Sequence, residues 1–434
     1  MIITDSYIKV IEAAIHWIQT QMLSFDEGYN GIYERIRIDR HERVCWTRPD
    51  CNAEYLRVLY GYRMITHNSQ YLELEEKITA FLERIQDTDP LSVWKGSFPF
   101  FVIDGTIREK ETGDSIYQND NGKVLICLCQ MYENTKDSRY LSMARSLGDY
   151  WIHCQQEDGT WGRKDGRTMF QCAKGPCFVI WMASGMYLLY EQTKNEQYLN
   201  SAQKAMKYLI SLIREDGSIQ TSYELIKMED WRPLSSETCM SLYALVTAYK
   251  VTKDEKYLRL IEKVGRFVER LRRENGAIAN CLEQNNNVSL QDNPDLCDLV
   301  YTQGHALFIF VELFEVTGNG MWFEWAHQLA GFLCEIQCRG ESPLWDGGWR
   351  GSWNLSTGQW DGRANQNNKI DEGGMYSVYT GWCATTILYG LEKLILAEKR
   401  RRKKNEKKND GAGIYMDDGS KCVDGMLRHW DTNC

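Results

Sequence analysis

The sequence lacks several features that would have directed it to a membrane, a secretory route or a metal. No stretch approaches eighteen consecutive apolar residues, which argues against a membrane span. The N-terminus has no basic leader followed by an apolar run and a small-residue cleavage site. It opens instead on an amphipathic pattern, Tyr7, Ile8, Ile11, Ile15 and Ile18, with Asp5 and Glu12 among them. The 15 cysteines form no zinc-ligand spacing, since Cys127 and Cys129, like Cys334 and Cys338, fall inside helical patterns. Many scattered cysteines without a disulfide framework point to a reducing, cytoplasmic location. No metal and no cofactor are expected.

A basic face is missing too. The formal charge is −9, but residues 399–434 carry ten Lys/Arg against six Asp/Glu, which leaves 41 basic and 54 acidic residues in the body. Such a body repels nucleic acid and anionic membrane, so neither is expected as a partner. The run Lys399-Arg400-Arg401-Arg402-Lys403-Lys404 reads as a solvated tail, which sets the expected domains at 1–398 and 399–434.

The chain does contain a repeat. A tyrosine–apolar pair opening an amphipathic helix recurs at Tyr7-Ile8, Tyr71-Leu72, Tyr140-Leu141, Tyr198-Leu199, Tyr257-Leu258 and, degenerately, Trp322-Phe323, at spacings of 64, 69, 58, 59 and 65 residues. Several copies then reach an acidic–glycine turn, Glu157-Asp158-Gly159, Glu215-Asp216-Gly217 and Glu274-Asn275-Gly276, where the glycine is expected to cap the helix in the left-handed conformation. A second helix, nearly apolar all round as in Phe178-Val179-Ile180-Trp181-Met182-Ala183, precedes each amphipathic one and must be buried on all sides. Turns such as Thr193-Lys194-Asn195-Glu196 only suffice to join antiparallel neighbours. Inner helices are predicted near 52, 120, 176, 237, 302 and 378, and outer ones near 5, 69, 138, 196, 255 and 320. Six such pairs close into an all-α (α/α)6 barrel, a toroid with essentially no sheet. Connections from outer to inner helix are long and rich in tryptophan, and long loops on one end of a rigid scaffold collect binding residues.

The repeated Tyr-Leu helices, the Asp-Gly turns and the aromatic loops resemble the six-hairpin glycosidase-like superfamily of (α/α)6 toroids over residues 1 to about 397. Asn119-Asp120-Asn121-Gly122-Lys123, followed by Tyr132 to Leu141, looks like an inner-helix unit of such hydrolases, although position 119 is Asn where the α-mannanases have an Asp-Asp pair. The resemblance implies a carbohydrate-active enzyme.

Counting back twenty residues from Tyr140 and Tyr257 reaches Asp120 and Glu237, which places one carboxylate at the same spot of two inner helices, two hairpins apart. Paired carboxylates are what glycoside hydrolysis requires, and helix first-turn acids are what the dipole alone favours. Asp120 and Glu237 are the candidate catalytic pair, with Glu372 in reserve. Trp46, Arg48 and Asp50 precede the first inner helix, where Arg48 clamps an acidic sugar or bridges to Asp50. Tyr301, Gln303 and His305 open the fifth inner helix. Trp161, Trp231, Trp345, Trp349, Tyr376 and Trp382 offer flat faces for sugar rings. The expected function is a glycoside hydrolase on an oligosaccharide. The alternatives are a sugar epimerase or lyase using Tyr301 and His305, or a catalytically silent glycan-binding toroid. Oligomeric state is not legible.

Overall fold

The computed structural model describes residues 2–24, 31–103, 106–107, 116–161, 174–227, 234–283, 293–362 and 374–413. The outer helices are α1 (Ile2–Gln21), α3 (Leu72–Ile85), α5 (Ser138–Cys154), α7 (Glu196–Ser211), α10 (Lys256–Leu271) and α12 (Gly320–Glu335). The inner ones are α2 (Pro49–Thr66), α4 (Gln118–Thr135), α6 (Pro176–Thr193), α9 (Ser235–Thr252), α11 (Gly304–Thr317) and α13 (Thr385–Gly413), and a short α8 (Ser222–Lys227) lies in the connection before α9. The chain separates into a body, Met1–Ile395, and a segment, Leu396–Cys434. The basic run 399–404 is helical.

The short turns repeat one device. α2, α4, α6, α9 and α11 all end in threonine, at Thr66, Thr135, Thr193, Thr252 and Thr317. Each threonine hydroxyl donates to the carbonyl four residues earlier and accepts the backbone N–H two residues later. The residue between is left-handed: His67, Lys136, Lys194, Lys253 and Gly318. An Asn or Asp then serves the outer helix, as Asp137 does by accepting the Arg139 N–H at 2.9 Å. Left-handed C-caps therefore belong to the inner helices, and four of the five are not glycine.

The acidic–glycine turns do something other than cap. α5 ends with an extended Gln155, and Gly159, with φ 93°, closes a tight turn four residues further on through Gly159 N–H to the Gln156 carbonyl. A Cβ there would collide with the Lys204 carbonyl of α7. The turn is thus pressed against the next outer helix, and its equivalents at Gly96, Gly217 and Gly276 meet α5, α10 and α12 in the same way. Gly347, following α12, meets the Ala13 carbonyl of α1 and completes the circuit. Gln337 fastens this junction by donating to the Val10 carbonyl (3.0 Å) and the Gly347 carbonyl (2.7 Å), and the Trp17 indole N–H adds a bond to the Leu344 carbonyl. Inside, α13 lies between α2 and α11, with Glu392 against Gly61 and Gly390 against Leu307. The fold is a closed (α/α)6 toroid.

Leu299–Thr317 is long and apolar enough to span a membrane, but 78% of that window is buried within the ring, where it forms the fifth inner element.

The expectation of essentially no sheet requires correction. β1 (Tyr33–Arg37), β2 (Glu42–Thr47), β3 (Val102–Ile103), β4 (Thr106–Ile107), β5 (Leu296–Asp298), β6 (Ser352–Asn354), β7 (Gln359–Trp360) and β8 (Ser377–Tyr379) form two antiparallel sheets, ordered β4-β3-β2-β1-β8 and β5-β6-β7. All lie in outer-to-inner connections. These connections satisfy their backbone groups by pairing with each other. Through the Ile36↔Val378 register the first connection pairs with the last.

Candidate active site at the ring mouth

Outer-to-inner connections deliver the chain to the N-termini of the inner helices, so six helix starts converge at this end. Helix starts favour negative charge, and the acids are there. Asp120 and Glu237 are each the third residue of their helix, α4 and α9, as the repeat requires.

Their surroundings differ. Asp120 meets Arg48, the N-cap residue of α2. The guanidinium donates Nη2 to Asp120 Oδ2 at 2.6 Å and to Asp50 Oδ2 at 3.0 Å, and Nη1 to Glu34 Oε1 at 2.8 Å. Phe100 covers the guanidinium face at 4.6 Å. Asp50 and Asp120 therefore share one cation, and their bonded oxygens are no farther apart than those two bonds laid end to end. Burial, reinforced by Asp50 and opposed by Arg48, pushes the Asp120 carboxyl up to about 8. Asp50 Oδ1 is buried without a hydrogen-bond partner among the described residues.

Glu237 is enclosed by backbone and hydroxyl donors. Its Oε2 accepts the Ser222 N–H at 2.8 Å, its Oε1 accepts the Ser222 hydroxyl, and Cys177 donates as well. The carboxylate caps α8 and the start of α6. Burial raises its pKa against those bonds.

Trp382 links the cluster to the far wall. Its indole N–H donates to Asp50 Oδ2 and its backbone N–H to Glu54 Oε2 at 2.9 Å. Its φ is 57°, a region disfavoured for a bulky side chain. Glu54 also receives Lys123 Nζ at 2.6 Å and the Thr385 hydroxyl at 2.9 Å. Burial acts to raise the Glu54 pKa, but Lys123 and Arg57 outweigh it and hold it low. Lys123 stands 3.4 Å over the Trp382 ring. Tyr301 packs edge-on to Trp382 at 5.6 Å, and His305 lies 5.7 Å from it and 5.1 Å from Trp181. His305 is fully buried, with no hydrogen bond to either ring nitrogen among the described residues. Burial, with Lys123 and Arg57 nearby, keeps it neutral by lowering its pKa well below the ordinary value.

Arg48, Asp50, Asp120, Tyr301, His305 and Trp382 thus come together. Trp46 stands near them, stacked on Phe101 at 4.7 Å and edge-on to Phe100, which covers Arg48. Gln303 is used up by Ile278, donating to its carbonyl at 2.7 Å and accepting its N–H at 3.0 Å. Trp161 and Trp349 are fully buried and present no stacking face. Trp345 is nearly buried, with its indole N–H on Glu341 at 3.1 Å, and Tyr376 is half-buried beside the β1 end, accepting the Ile38 N–H. Trp231 and Glu372 lie outside the described residues. Arg48 makes the internal bridge of its two sequence readings and leaves no fork for an acidic sugar.

Three residues of the cluster were not singled out from the sequence as site residues: Glu34, Glu54 and Lys123. Glu54 and Lys123 were discoverable as charges on helices with no polar face. Asp298 caps the turn before α11 through the Val300 and Tyr301 N–H groups, at 2.8 and 3.1 Å, and burial pushes it up to about 7. Glu34 carries no such signal, because its position depends on β1 pairing with β8. The described residues contain no group of three or more His, Cys, Asp or Glu arranged to hold a metal.

No family model matches the sequence, and no curated protein matches it at the sequence level. Solved structures do match over nearly the whole chain. A sugar epimerase from a ruminal bacterium superposes with a TM-score of 0.69 at 11% identity, covering 91% of this chain and 99% of that one. A family 76 α-mannanase from Bacteroides thetaiotaomicron gives 0.64 at 14% identity, covering 92% and 97%. An unsaturated glucuronyl hydrolase specific for heparin gives 0.64 at 13% identity, covering 91% and 98%. These matches show the fold: the chain shares its (α/α)6 toroid with these solved structures.

Proposed function

We propose that this protein is a carbohydrate-active enzyme of the cytoplasm, a glycoside hydrolase that cleaves an oligosaccharide with Asp120 as general acid and Asp50 as its partner carboxylate. The observation that carries this reading is the pair of carboxyl groups from adjacent inner helices on one guanidinium, with burial pushing the Asp120 carboxyl up to about 8. An acid with its pKa near the working pH can protonate a leaving glycosidic oxygen, while a second carboxyl group beside it is placed to stabilise or attack the sugar cation. The bound that Arg48 sets on their separation is shorter than the roughly 6.5–9.5 Å of inverting pairs, which favours double displacement with retention. Glu237, absorbed in capping, serves in this reading to position the α6 and α8 starts.

A library of neutral and acidic oligosaccharides incubated with the protein tests the reading. New reducing ends are expected, with the first-formed anomer matching the substrate, and Asp120→Asn and Asp50→Asn are expected to lose them while remaining folded. Turnover that survives both substitutions would remove this pair from the chemistry. A second reading, sugar epimerisation, draws on His305, a neutral base against Trp382. It predicts an isomer with every glycosidic bond intact and loss of product in His305→Asn.

A further inference from the structure

We infer that Trp382 is a positioning residue: its indole N–H sets the orientation of the Asp50 carboxyl group, and its ring is not a platform for a sugar. This deepens the proposed reading, since it takes Asp50 as the partner carboxyl of Asp120.

As a stacking face Trp382 is already occupied. Lys123 Nζ stands 3.4 Å over the ring, Tyr301 meets it edge-on at 5.6 Å, and the residue is 5% exposed. Its backbone is strained, with φ 57° and ψ −28°. Such strain persists only where the surroundings over-determine it, and it gathers at functional sites. Three contacts hold it here. Gly381 is pressed against α2, where a Cβ would collide with the Cys51 thiol. Glu54 Oε2 accepts the Trp382 backbone N–H at 2.9 Å. Lys123, bonded to Oε1 of that same Glu54 at 2.6 Å, covers the ring.

The two members of this clamp sit one helical turn deeper than the carboxyl pair. Glu54 follows Asp50 by four residues on α2, and Lys123 follows Asp120 by three on α4, so each shares a helix face with its acid. An indole has a single N–H, and the clamp aims it at Asp50 Oδ2. The same oxygen receives Arg48 Nη2 at 3.0 Å, and that nitrogen also holds Asp120 at 2.6 Å. Trp382 therefore fixes Asp50 from the side opposite its link to Asp120. A carboxyl group that must meet a sugar carbon gains from such fixing, because small misplacements of reacting groups are expensive in rate.

The test is a double-mutant cycle read by melting temperature at pH 7. Trp382→Phe should lower the midpoint of the wild-type protein by more than it lowers that of Asp50→Ala, in which the acceptor is already gone. Equal losses in the two backgrounds would make Trp382 a packing residue and overturn the inference. A second measurement needs no change at Trp382. In protein labelled with 15N-tryptophan, Asp50→Asn should move one indole N–H resonance well beyond all others, since the group it bonds has changed. Indole resonances unmoved by that substitution overturn the inference equally. Neither readout uses a substrate, so this inference and the hydrolase reading fail by different measurements.

Discussion

In the proposed reading Asp120 would join chemistry and stability in one side chain. Its carboxyl titrates near 8 in the folded protein against an ordinary 3.8, because it is buried beside Asp50. The folded state therefore holds a proton that the unfolded chain releases. Asp120 contributes stability that is full below about pH 4 and is lost as pH rises through 8. The wild-type melting temperature should fall across this window relative to Asp120→Asn, whose amide does not titrate, and parallel melts of the two proteins at half-unit pH steps would show the difference. The same variant should lose on the order of 10²–10⁴-fold in turnover, because an amide cannot deliver a proton. A parallel pH course in both proteins would mean that Asp120 ionises normally. Asp120 was legible from sequence because the repeat gave it a coordinate. The same coordinate chose Glu237, and it could not report that Ser222 and Cys177 would occupy that carboxylate. A helix position fixes where an acid begins, whereas its role depends on what the loops bring to it.

The helices themselves were legible, inner and outer, to within a few residues at most of their starts, because a buried helix and an amphipathic one differ in composition along their whole length. Turn chemistry was harder. Asp-Gly pairs looked like helix caps, yet they form the pads on which neighbouring outer helices rest, a contact between segments about fifty residues apart. Gly159→Ala should cost about 2–4 kcal/mol, combining left-handed strain with overpacking against the Lys204 carbonyl; urea denaturation would report it. The true left-handed caps behave oppositely. Lys253, at φ 58°, pays a strain that glycine avoids. Lys253→Gly should stabilise by about 0.5–1 kcal/mol, the relieved strain exceeding the added freedom of the unfolded chain. A lower denaturation midpoint would show that the lysine side chain contributes more than its backbone costs. The small sheets were invisible for a related reason, since strands of two to six residues drawn from distant loops carry no period of their own.

At the scale of the molecule, closure depends on a few contacts between the first and last outer helices. Gln337→Ala would leave the Val10 and Gly347 carbonyls without their shared donor and should cost about 1–3 kcal/mol, with early hydrogen exchange expected in α1 and α12 rather than throughout. Removing residues after 398 should leave the melting temperature unchanged, since the compact body ends at Ile395; a loss of several degrees would assign the tail a packing role. The described residues hold five inner-to-outer turns built alike, and α13 and α1 are the inner and outer helices that no such turn joins among them. By the pattern of the other five pairs, a Thr-x-Asn or Thr-x-Asp turn would join the α13 end of the body to the start of α1. The toroid therefore has no intrinsic beginning. A circular permutant opened at Lys194, with residue 395 joined to residue 2 by a short Thr-Gly-Asn-containing linker, should fold to the same ring, and its order of local unfolding should rotate with the new termini.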